Sequence, residues 1–453
     1  MKNFLLGWLL LVCHVSFSQT LSDTIDDYIT PYVITGDFSG CVTISKENTI
    51  IYNQCFGKAN HAFNIDNTLR TKFKIGSISK QFTATAILLL EEKGLLKTED
   101  KLSKYFPSFR NVQDISIQQL LNHTSGIIDI FNLPAFSALS CQKTSLGELS
   151  EIILSTEVLF APGERYQYSN GGYAILAQII EHLTQKSYGD FLRQNIFEPL
   201  GMASTGHNND HEIIEQLAIG YDPSGYRDLV STNFISNELL KGSGSLYSNT
   251  DDMLKWIRAL KNRSLLTKES SEKFFTNYGN NYGYGISIYS PFGKEAFGHD
   301  GRINGYIADY LHYKEDDLSV VVLGNVQSGV ADFFRRDIAA IIFDKPVQTK
   351  AKKVLPAGNY PADVERILGS YAFGPNFLVH IEKIDGLIKA RANEGSYSEL
   401  IPMVDGKFFS RMLYSVVEFK SDKDNQIVKM IWIDNDGNTF EGNKQKPSDD
   451  QGG

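Results

Sequence analysis

The chain lacks the features that mark several specialised protein classes. Its 453 residues include only 4 Cys and 13 Pro, and 53 acidic residues outnumber 44 basic ones, for a formal charge of −9. So few cysteines exclude a disulfide-rich scaffold. Without a basic excess there is no electrostatic reason to expect nucleic-acid binding. With 42% hydrophobic and 21% charged residues, the composition is that of an ordinary globular protein, long enough for two or three domains.

Long apolar runs are also missing, apart from one at the N-terminus. Phe4–Val15 is apolar and follows the basic Lys2, but it is too short to span a bilayer comfortably. Small residues stand at Ser16 and Ser18, the positions that a signal peptidase reads. We therefore predict a signal peptide over residues 1–18 and an exported protein, periplasmic or secreted, without stable membrane insertion.

The cysteines raise two further alternatives. Cys13 suggests a lipoprotein, but Val12 precedes it where a small residue is expected, which disfavours lipidation. Cys41 and Cys55 flank a predicted hairpin at Lys46–Thr49, whose three-residue loop would place them opposite each other. An oxidising compartment would permit a disulfide. Two unpaired cysteines in a half-buried sheet are the interpretation that we favour from the sequence.

The hydrophobic pattern predicts an α+β domain over residues 19–345. Apolar residues at helical spacing follow Ser77, with Gly94 as the stop signal. Further helices are predicted at 20–35, 171–184 and 330–343, and strands at 38–57, 283–289, 305–312 and 318–325. Strands at both ends of a helical block predict one sheet built from the two ends of the domain.

Beyond this domain the composition and the hydrophobic pattern of the sequence change. Residues 346–364 are predicted to be a proline-containing linker, and residues 446–453 a polar, disordered tail. Between them, residues 365–445 alternate apolar runs with Asp-Gly turns and predict an antiparallel β meander. The run from Asp434 to Asn438 resembles part of a calcium loop, but a hairpin turn explains it more simply.

The clearest chemical motif is Ser77-Ile-Ser-Lys80, at the start of the apolar helix. Residues i and i+3 share one face of a helix. The helix N-terminus disfavours an ammonium, and burial would lower the pKa of Lys80, so that its neutral amine could accept the Ser77 proton. Ser140-x-x-Lys143 and Ser270-x-x-Lys273 match the same pattern, but no long buried helix follows them.

Two other elements could complete a site. In Tyr168-Ser-Asn170, an extended loop would point the phenol and the amide into the same cleft, to relay a proton and to orient a carbonyl or Lys80. In Gly298-His-Asp-Gly301, near a predicted strand start, an N–H just after the glycine could join that of Ser77 in an oxyanion hole. Each motif alone is weak, and a structural His299 is the plainer interpretation of the second.

Five segments in this order resemble the serine β-lactamase and penicillin-binding-protein superfamily, and within it the class C-like β-lactamase-related branch. They are Phe73-Lys-Ile-Gly-Ser-Ile-Ser-Lys-Gln-Phe-Thr-Ala84, Leu120-Leu-Asn-His-Thr-Ser-Gly-Ile127, Pro162-Gly-Glu with Tyr168-Ser-Asn-Gly-Gly-Tyr173, Gly244-Ser-Leu-Tyr-Ser-Asn-Thr-Asp-Asp-Met253 and Gly298-His-Asp-Gly301. The resemblance implies an antiparallel sheet packed by helices, an all-helical subdomain and a site between them. It also implies that the C-terminal meander is a small lipocalin-like appendage.

The resemblance also assigns roles. Ser77 would be the acylated nucleophile, Lys80 its partner and Tyr168 the proton relay beside Asn170. His299, Asp300 and Gly301 stand where many relatives have Lys-Thr-Gly or Lys-Ser-Gly, whose Lys and hydroxyl help to bind a substrate carboxylate. Asp300 is an anion in place of that hydroxyl, and only an inward-turned Arg302 could offset it.

The sequence therefore predicts an exported serine hydrolase that cleaves an ester or amide through an acyl-enzyme, without cofactor or metal. The substrate would be a small molecule or a peptide, such as one with a D-residue. A β-lactamase or DD-carboxypeptidase is the alternative enzyme, and a non-catalytic binding protein with the same fold is the alternative outside enzymes. The sequence sets no oligomeric state.

Overall fold

The structure is a computed structural model that describes residues 20–142, 144–350, 357–374, 377–393 and 397–445. The predicted signal peptide and the predicted C-terminal tail lie outside these residues, as does part of the predicted linker, at 351–356. Within the described ranges, no helix combines the length and the apolar character that crossing a membrane requires.

The helices follow the apolar spacing of the sequence. The first begins at Thr20, whose side chain accepts the Asp23 N–H while the Asp23 carboxylate accepts the Thr20 N–H. The α-helices are α1 (Leu21–Ile34), α2 (Ser79–Glu92), α3 (Ile117–Leu121), α4 (Phe136–Ser140), α5 (Leu146–Ser155), α6 (Asn170–Thr184), α7 (Tyr188–Leu192), α8 (Thr250–Asn262), α9 (Lys268–Phe275) and α10 (Ala331–Ile342).

The strands of the first domain form one main antiparallel sheet, in the order β10-β11-β12-β13-β1-β2, and three small ones. Strands from both ends of the domain meet where β1 pairs with β13, as the sequence predicts. The strands are β1 (Gly40–Lys46), β2 (Thr49–Phe56), β3 (Lys58–Asn60), β4 (Ile65–Asp66), β5 (Phe73–Lys74), β6 (Gly206–His207), β7 (Tyr221–Ser224), β8 (Asp228–Ser231), β9 (Leu246–Ser248), β10 (Ser287–Tyr289), β11 (Ala296–Ile303), β12 (Tyr306–Tyr313) and β13 (Leu318–Gly324).

Helices cover the main sheet on both faces. On one face, α1 and α10 pack through aromatic side chains, with the Tyr32 and Phe334 ring centroids 4.8 Å apart. On the other face lies the helical block, whose centre is α2. Phe82 of α2 stacks on Trp256 of α8 at 4.1 Å between ring centroids. This burial of α2 holds the Ser-x-x-Lys segment rigidly at the edge of the sheet.

Two strands differ from the sequence prediction. Gly298 lies near the start of a strand, as predicted, but that strand is β11, which the sequence did not predict, and the predicted strand at 283–289 is reduced to β10. Gly298, Asp300 and Gly301 have low strand propensity, which hid β11 from the sequence. Ladders with β10 on one side and β12 on the other override that propensity.

The cysteines also differ from the favoured interpretation. A two-residue turn at Glu47 and Asn48, both with positive φ, joins β1 to β2, and a bulge then shifts the register. This places Cys41 directly opposite Cys55, and the two form a disulfide. The prediction of unpaired cysteines is wrong because facing side chains of an antiparallel pair lie close enough to bond.

The C-terminal domain is the antiparallel lipocalin-like meander that the sequence predicts. Its strands are β14 (Gly369–Gly374), β15 (Phe377–Ile384), β16 (Leu387–Ala392), β17 (Tyr397–Glu399), β18 (Ile401–Pro402), β19 (Phe408–Ser410), β20 (Ser415–Ser421), β21 (Ile427–Ile433) and β22 (Thr439–Lys444). The order is β17-β16-β15-β14-β22-β21-β20-β19-β18, so the two ends of the sheet meet at Leu400 and nearly close a barrel. Asp434 caps the β21–β22 turn by accepting the Asp436 and Asn438 N–H groups, as expected for a hairpin.

A buried arginine fastens the two domains together. Arg411, just after β19, forms an ion pair with Asp37, with 2.7 Å between Nε and Oδ1. Its other nitrogens donate to the carbonyl groups of Gly36 and Asp228, each at 2.7 Å. A buried charge with this many partners is held in one geometry, so the C-terminal domain has a fixed position against the first domain.

Candidate active site

A cleft of about 400 Å³ lies between β11 and the helical block. It is open to solvent and is the place where the sequence motifs converge. Its lining comprises Ser77, Phe131, Tyr166, Tyr168, Asn170, Leu240, Ser243, Gly244, Asn280, Tyr282, Ser287, His299, Asp300, Arg302 and Ile303.

Ser77 occupies a sharp turn at the entrance to α2. It is the middle residue of a short 3₁₀ helix, Gly76–Ile78, and Gly76 has a φ of 48°, which favours glycine. The backbone of β11 passes very close to this turn. A Cβ at Gly301 would lie 2.0 Å from the Ile75 carbonyl oxygen and 3.0 Å from the Ser77 nitrogen, so no side chain fits there.

Lys80 is the most constrained polar group in the cleft. It is fully buried, and Nζ lies 3.1 Å from Ser77 Oγ, 2.7 Å from Asn170 Oδ1 and 2.8 Å from the Ser243 carbonyl oxygen. Burial lowers the pKa of Lys80 to about 7, although the negative charges of Asp129 and Asp300 act in the opposite direction. A substantial fraction of the amine is therefore neutral at neutral pH.

The contacts of Lys80 fix the direction of its lone pair. A neutral amine has two hydrogens to donate and one lone pair. Asn170 Oδ1 and the Ser243 carbonyl can only accept, so they take the two hydrogens. The lone pair is left for the Ser77 hydroxyl, which is the arrangement a general base needs.

Asn170 is itself held in place by an acidic residue, Asp129. Its Nδ2 and its backbone N–H both donate to Asp129 Oδ2 at 2.8 Å. Because a carboxylate only accepts, the amide cannot flip, and Oδ1 must face Lys80. Asp129 thus acts through Asn170 to orient the lysine.

Tyr168 lies across the amine and the serine. Its hydroxyl is hydrogen-bonded to Ser77, and Lys80 Nζ is 4.7 Å from the centre of its ring. Burial raises the pKa of Tyr168 well above its usual value, and the hydrogen bond to Ser77 offsets only part of the rise. The phenol therefore keeps its proton at neutral pH and can hand it to a neighbouring atom.

The buried side chain of His123 packs against the ring of Tyr168. The ring centroids of His123 and Tyr168 are 4.3 Å apart, and His123 Nδ1 accepts the Ser169 N–H at 3.1 Å. Burial, together with the charge of Lys80, lowers the pKa of His123 well below its usual value. His123 is therefore a neutral packing surface for the Tyr168 ring.

His299 is neutral as well. Its Nδ1 lies 2.5 Å from the Asp300 carbonyl oxygen, which can only accept, so Nδ1 carries the hydrogen. Its Nε2 then accepts the Tyr282 hydroxyl at 2.9 Å. Burial lowers the pKa of His299, while the charge of Asp300 pulls it upward. This imidazole adds no positive charge to the cleft at neutral pH.

Asp300 brings a negative charge to the cleft. Its side chain is exposed. Burial of the surrounding site works to raise the pKa of Asp300, but nearby positive charges, including the guanidinium groups of Arg335 and Arg302, lower it below its usual value, so the carboxylate is ionised at neutral pH. Both arginines have other partners: Arg302 binds Asp332 and the Met412 carbonyl, and Arg335 binds Asp309.

The geometry thus gathers most of the residues singled out from the sequence. Lys80, Tyr168, Asn170, His299, Asp300 and Gly301 surround Ser77. The guanidinium of Arg302 does not turn inward as a counter-charge. The competing Ser270-x-x-Lys273 motif lies on α9, where Lys273 pairs with Glu91, 3.0 Å from its Oε2.

Four contributors to the site were not identified from the sequence. Asp129 and Tyr282 stand in loops without a motif, and Ser243 takes part only through its carbonyl oxygen, which leaves no side-chain signal. His123 was inside a motif quoted for the resemblance, Leu120–Ile127, and that motif was its only available signal.

Comparison with known proteins gives the family of this chain. Residues 25–344 match the Beta-lactamase family. The chain is also 30% identical over 417 residues to Penicillin-binding protein 4* of Bacillus subtilis, which covers 85% of this chain and 91% of that protein. The chain belongs to the serine β-lactamase and penicillin-binding-protein superfamily. Members are serine hydrolases that act on amides or esters through an acyl-enzyme, and this chain is one of them.

Two solved structures share its fold. The octameric penicillin-binding protein homologue from Pyrococcus abyssi is 24% identical, with a TM-score of 0.62 over 93% of this chain and 99% of that one, so the similarity includes the C-terminal domain. D-amino acid amidase from Ochrobactrum anthropi SV3 is 24% identical, with a TM-score of 0.61 over 71% of this chain and 96% of that one. At these identities the likeness is one of fold.

Proposed function

We propose that Ser77 is the nucleophile, neutral Lys80 its general base and Tyr168 the group that relays the proton to the leaving group. The observation that carries this proposal is the lysine's set of contacts. Two fixed acceptors occupy its hydrogens, and Ser77 Oγ lies 3.1 Å away at the remaining position. A pKa of about 7 balances availability of the free amine against its basicity at neutral pH.

The oxyanion that forms during acylation needs its own donors. The backbone N–H of Ser77 at the turn before α2 and that of Arg302 on β11 are the candidates. The close packing of Gly301 against Ile75 and Ser77 supports this assignment, because it brings the two backbones together. Rigid donors of this kind stabilise the negative oxygen without reorganising as the charge develops.

The substrate that this cleft favours is an ester or amide with a neutral or cationic substituent, such as a D-amino acid derivative with a free amine. Neutral His299 and ionised Asp300 occupy the position where many relatives have Lys-Thr-Gly. The fold shared with a D-amino acid amidase agrees with this substrate class. A penicillin-binding DD-carboxypeptidase is the second candidate, favoured by the 30% identity to Penicillin-binding protein 4*.

Export is part of the proposal. The predicted signal peptide at residues 1–18 supports it, and so does the Cys41–Cys55 disulfide, since such bonds persist mainly in oxidising compartments. Appearance of the unprocessed chain in the cytoplasm of the native host would contradict it.

Labelling with a fluorophosphonate probe and with a fluorescent penicillin, side by side, tests the nucleophile. We expect mass spectrometry to find the acyl group on Ser77, and Ser77→Ala to abolish labelling while the protein stays folded. Ser270→Ala is the control variant, because this serine begins the same motif on α9, and it should label normally. A labelled Ser270 or Ser140 peptide would show that Ser77 is the wrong serine.

The substrate class is tested by comparing kcat/KM for p-nitrophenyl acetate, D-alanine p-nitroanilide and nitrocefin in the wild type and in Asp300→Thr. Like charges about 4 Å apart cost about 4 kcal/mol at a partly screened dielectric, or roughly a thousandfold in rate. We expect the wild type to prefer the first two substrates, and Asp300→Thr to gain on nitrocefin relative to them. Without that relative gain, the charge argument fails.

A further inference from the structure

A second cavity, of about 740 Å³, opens beside the catalytic cleft. It lies where the C-terminal domain meets the first domain. Phe131 lines both cavities, and the chain passes from the lining of one to the lining of the other between Ile303 and Asn304. The two spaces are therefore neighbouring parts of one groove that begins at Ser77.

Both domains build the walls of this second cavity. On one side runs an extended segment, residues 230–235, in which Val230 is 47% and Phe234 62% exposed. On the other side are Leu387 and Lys389 of β16, with Tyr397 of β17. Apolar side chains exposed inside a groove are the usual contacts of a bound ligand.

The backbone in the wall favours one kind of ligand. Strand β8 pairs with β7 on one side, and in the described part of the chain no strand pairs with its other edge. Consecutive β8 residues, Val230 and Ser231, line the cavity. Consecutive residues of the partner strand β7, Asp222, Pro223 and Ser224, line the cavity as well, and because successive side chains alternate between faces, the backbone of the β7–β8 hairpin also borders the space. An exposed edge with apolar neighbours suits an extended peptide.

The volumes of the two cavities also favour an extended peptide as the ligand. The catalytic cleft alone is as large as the site of a small ligand, and the adjoining cavity is of the same order. A single amino acid ester would leave the second space, and everything that the C-terminal domain contributes to it, without contact.

We propose that the substrate is an extended peptide, and that its chain beyond the residue at the scissile bond lies in the groove between the domains, against residues 230–235 and β16. This inference rests on the proposed function, since it places the rest of a molecule whose reacting bond is at Ser77. The C-terminal domain is then part of the substrate-binding surface, and Phe131 marks the passage from one part to the other.

The test uses the full-length protein and esters of D-alanine in two series. In one series, one to four L-residues extend the acyl side, and in the other they extend the leaving-group side. We expect kcat/KM to rise with length in one of the series, by about tenfold to a hundredfold, the gain that one or two buried side-chain contacts provide. A flat response in both series would overturn the proposal.

Substitutions in the groove test whether the rise of kcat/KM with peptide length comes from contacts made there. Phe234→Ala and Leu387→Ala should remove most of the gain from length while leaving the turnover of unextended D-alanine ester unchanged. Phe440→Ala and Val428→Ala are the matched controls, because these side chains are 52% and 40% exposed on strands that do not line the groove. Equal losses in the controls, or a length effect that survives in both groove variants, would contradict the assignment.

The two proposals fail separately. If unextended esters are not hydrolysed and Ser77 is not acylated, the proposed function is wrong. If they are hydrolysed but added residues bring no gain, only the peptide groove is wrong.

Discussion

Asp129 is the most informative residue to perturb, because it acts on the reacting groups without touching them. Its carboxylate holds Asn170, which in turn holds Lys80. Asp129→Asn keeps the shape and an acceptor oxygen for the Asn170 amide but removes the negative charge. That charge favours the ammonium form of Lys80. Without it, the pKa of Lys80 should fall, and the neutral base should form at lower pH.

The size of the effect follows from the distances. Two hydrogen bonds, of 2.8 and 2.7 Å, join Asp129 Oδ2 to Lys80 Nζ through the Asn170 amide. This geometry separates the charges by about 7 Å. At an effective dielectric of about 20, opposite charges at that distance interact by about 2 kcal/mol, or about 1.5 pKa units. The open cleft screens part of this interaction, so a downward shift of about one unit is expected.

The assay is the pH dependence of kcat/KM for p-nitrophenyl acetate, a neutral ester that does not sense Asp300 directly. In the wild type the acidic limb should lie near pH 7, the pKa of Lys80. In Asp129→Asn it should move about one unit lower, with a smaller change at high pH. Asp190→Asn, at an exposed α7 residue, controls for net charge and should leave the limb in place. An unmoved or raised limb in Asp129→Asn would refute the reasoning.

Three other variants test separate parts of the structure. Lys80→Arg should lower kcat/KM by about 10²–10⁴-fold, because a guanidinium cannot accept the Ser77 proton; substantial turnover would remove the lysine from the base role. Gly301→Ala should lower kcat by at least about 100-fold by forcing β11 away from Ser77. Gly374→Ala should not, because no atom of the described residues lies within 4 Å of the added Cβ. Replacing both Cys41 and Cys55 with Ser should lower the free energy of unfolding by about 3 kcal/mol in denaturant titrations, as expected for a cross-link over a separation of 14 residues; an unchanged midpoint would show that the disulfide adds no stability.

Much of the fold was predictable because its elements carry strong local patterns. The apolar spacing after Ser77 gives α2, and the turn residues beyond residue 365 give the C-terminal meander. Strand β11 was missed because Gly298 and Gly301 oppose strand formation locally. Only the ladders with its neighbours, which depend on the tertiary fold, make it a strand.

The residues of the candidate site likewise fall into those that sequence motifs predict and those that only tertiary contacts reveal. Ser77, Lys80 and Tyr168 lie in short motifs that could be recognised together from the sequence, although each motif alone is weak. Asp129 could not be identified, because its importance comes from a contact with Asn170 across 41 positions of sequence. The backbone carbonyl of Ser243 could not be identified either, because any residue type would supply one. The pairing of Cys41 with Cys55 likewise depends on a β-bulge between β1 and β2, which no sequence pattern predicts.

Whether the cleft can bind a substrate anion depends on whether its cationic side chains already form ion pairs within the protein. From sequence, Arg302 was a possible counter-charge for a substrate carboxylate, but it binds Asp332 instead. Arg335 binds Asp309, which faces Asp300 across the β11–β12 ladder. Both cations lower the pKa of Asp300, and each already contacts another acidic residue, Asp332 for Arg302 and Asp309 for Arg335. If the proposed function is right, a substrate ammonium is attracted by the Asp300 carboxylate, whereas a substrate carboxylate is repelled by it.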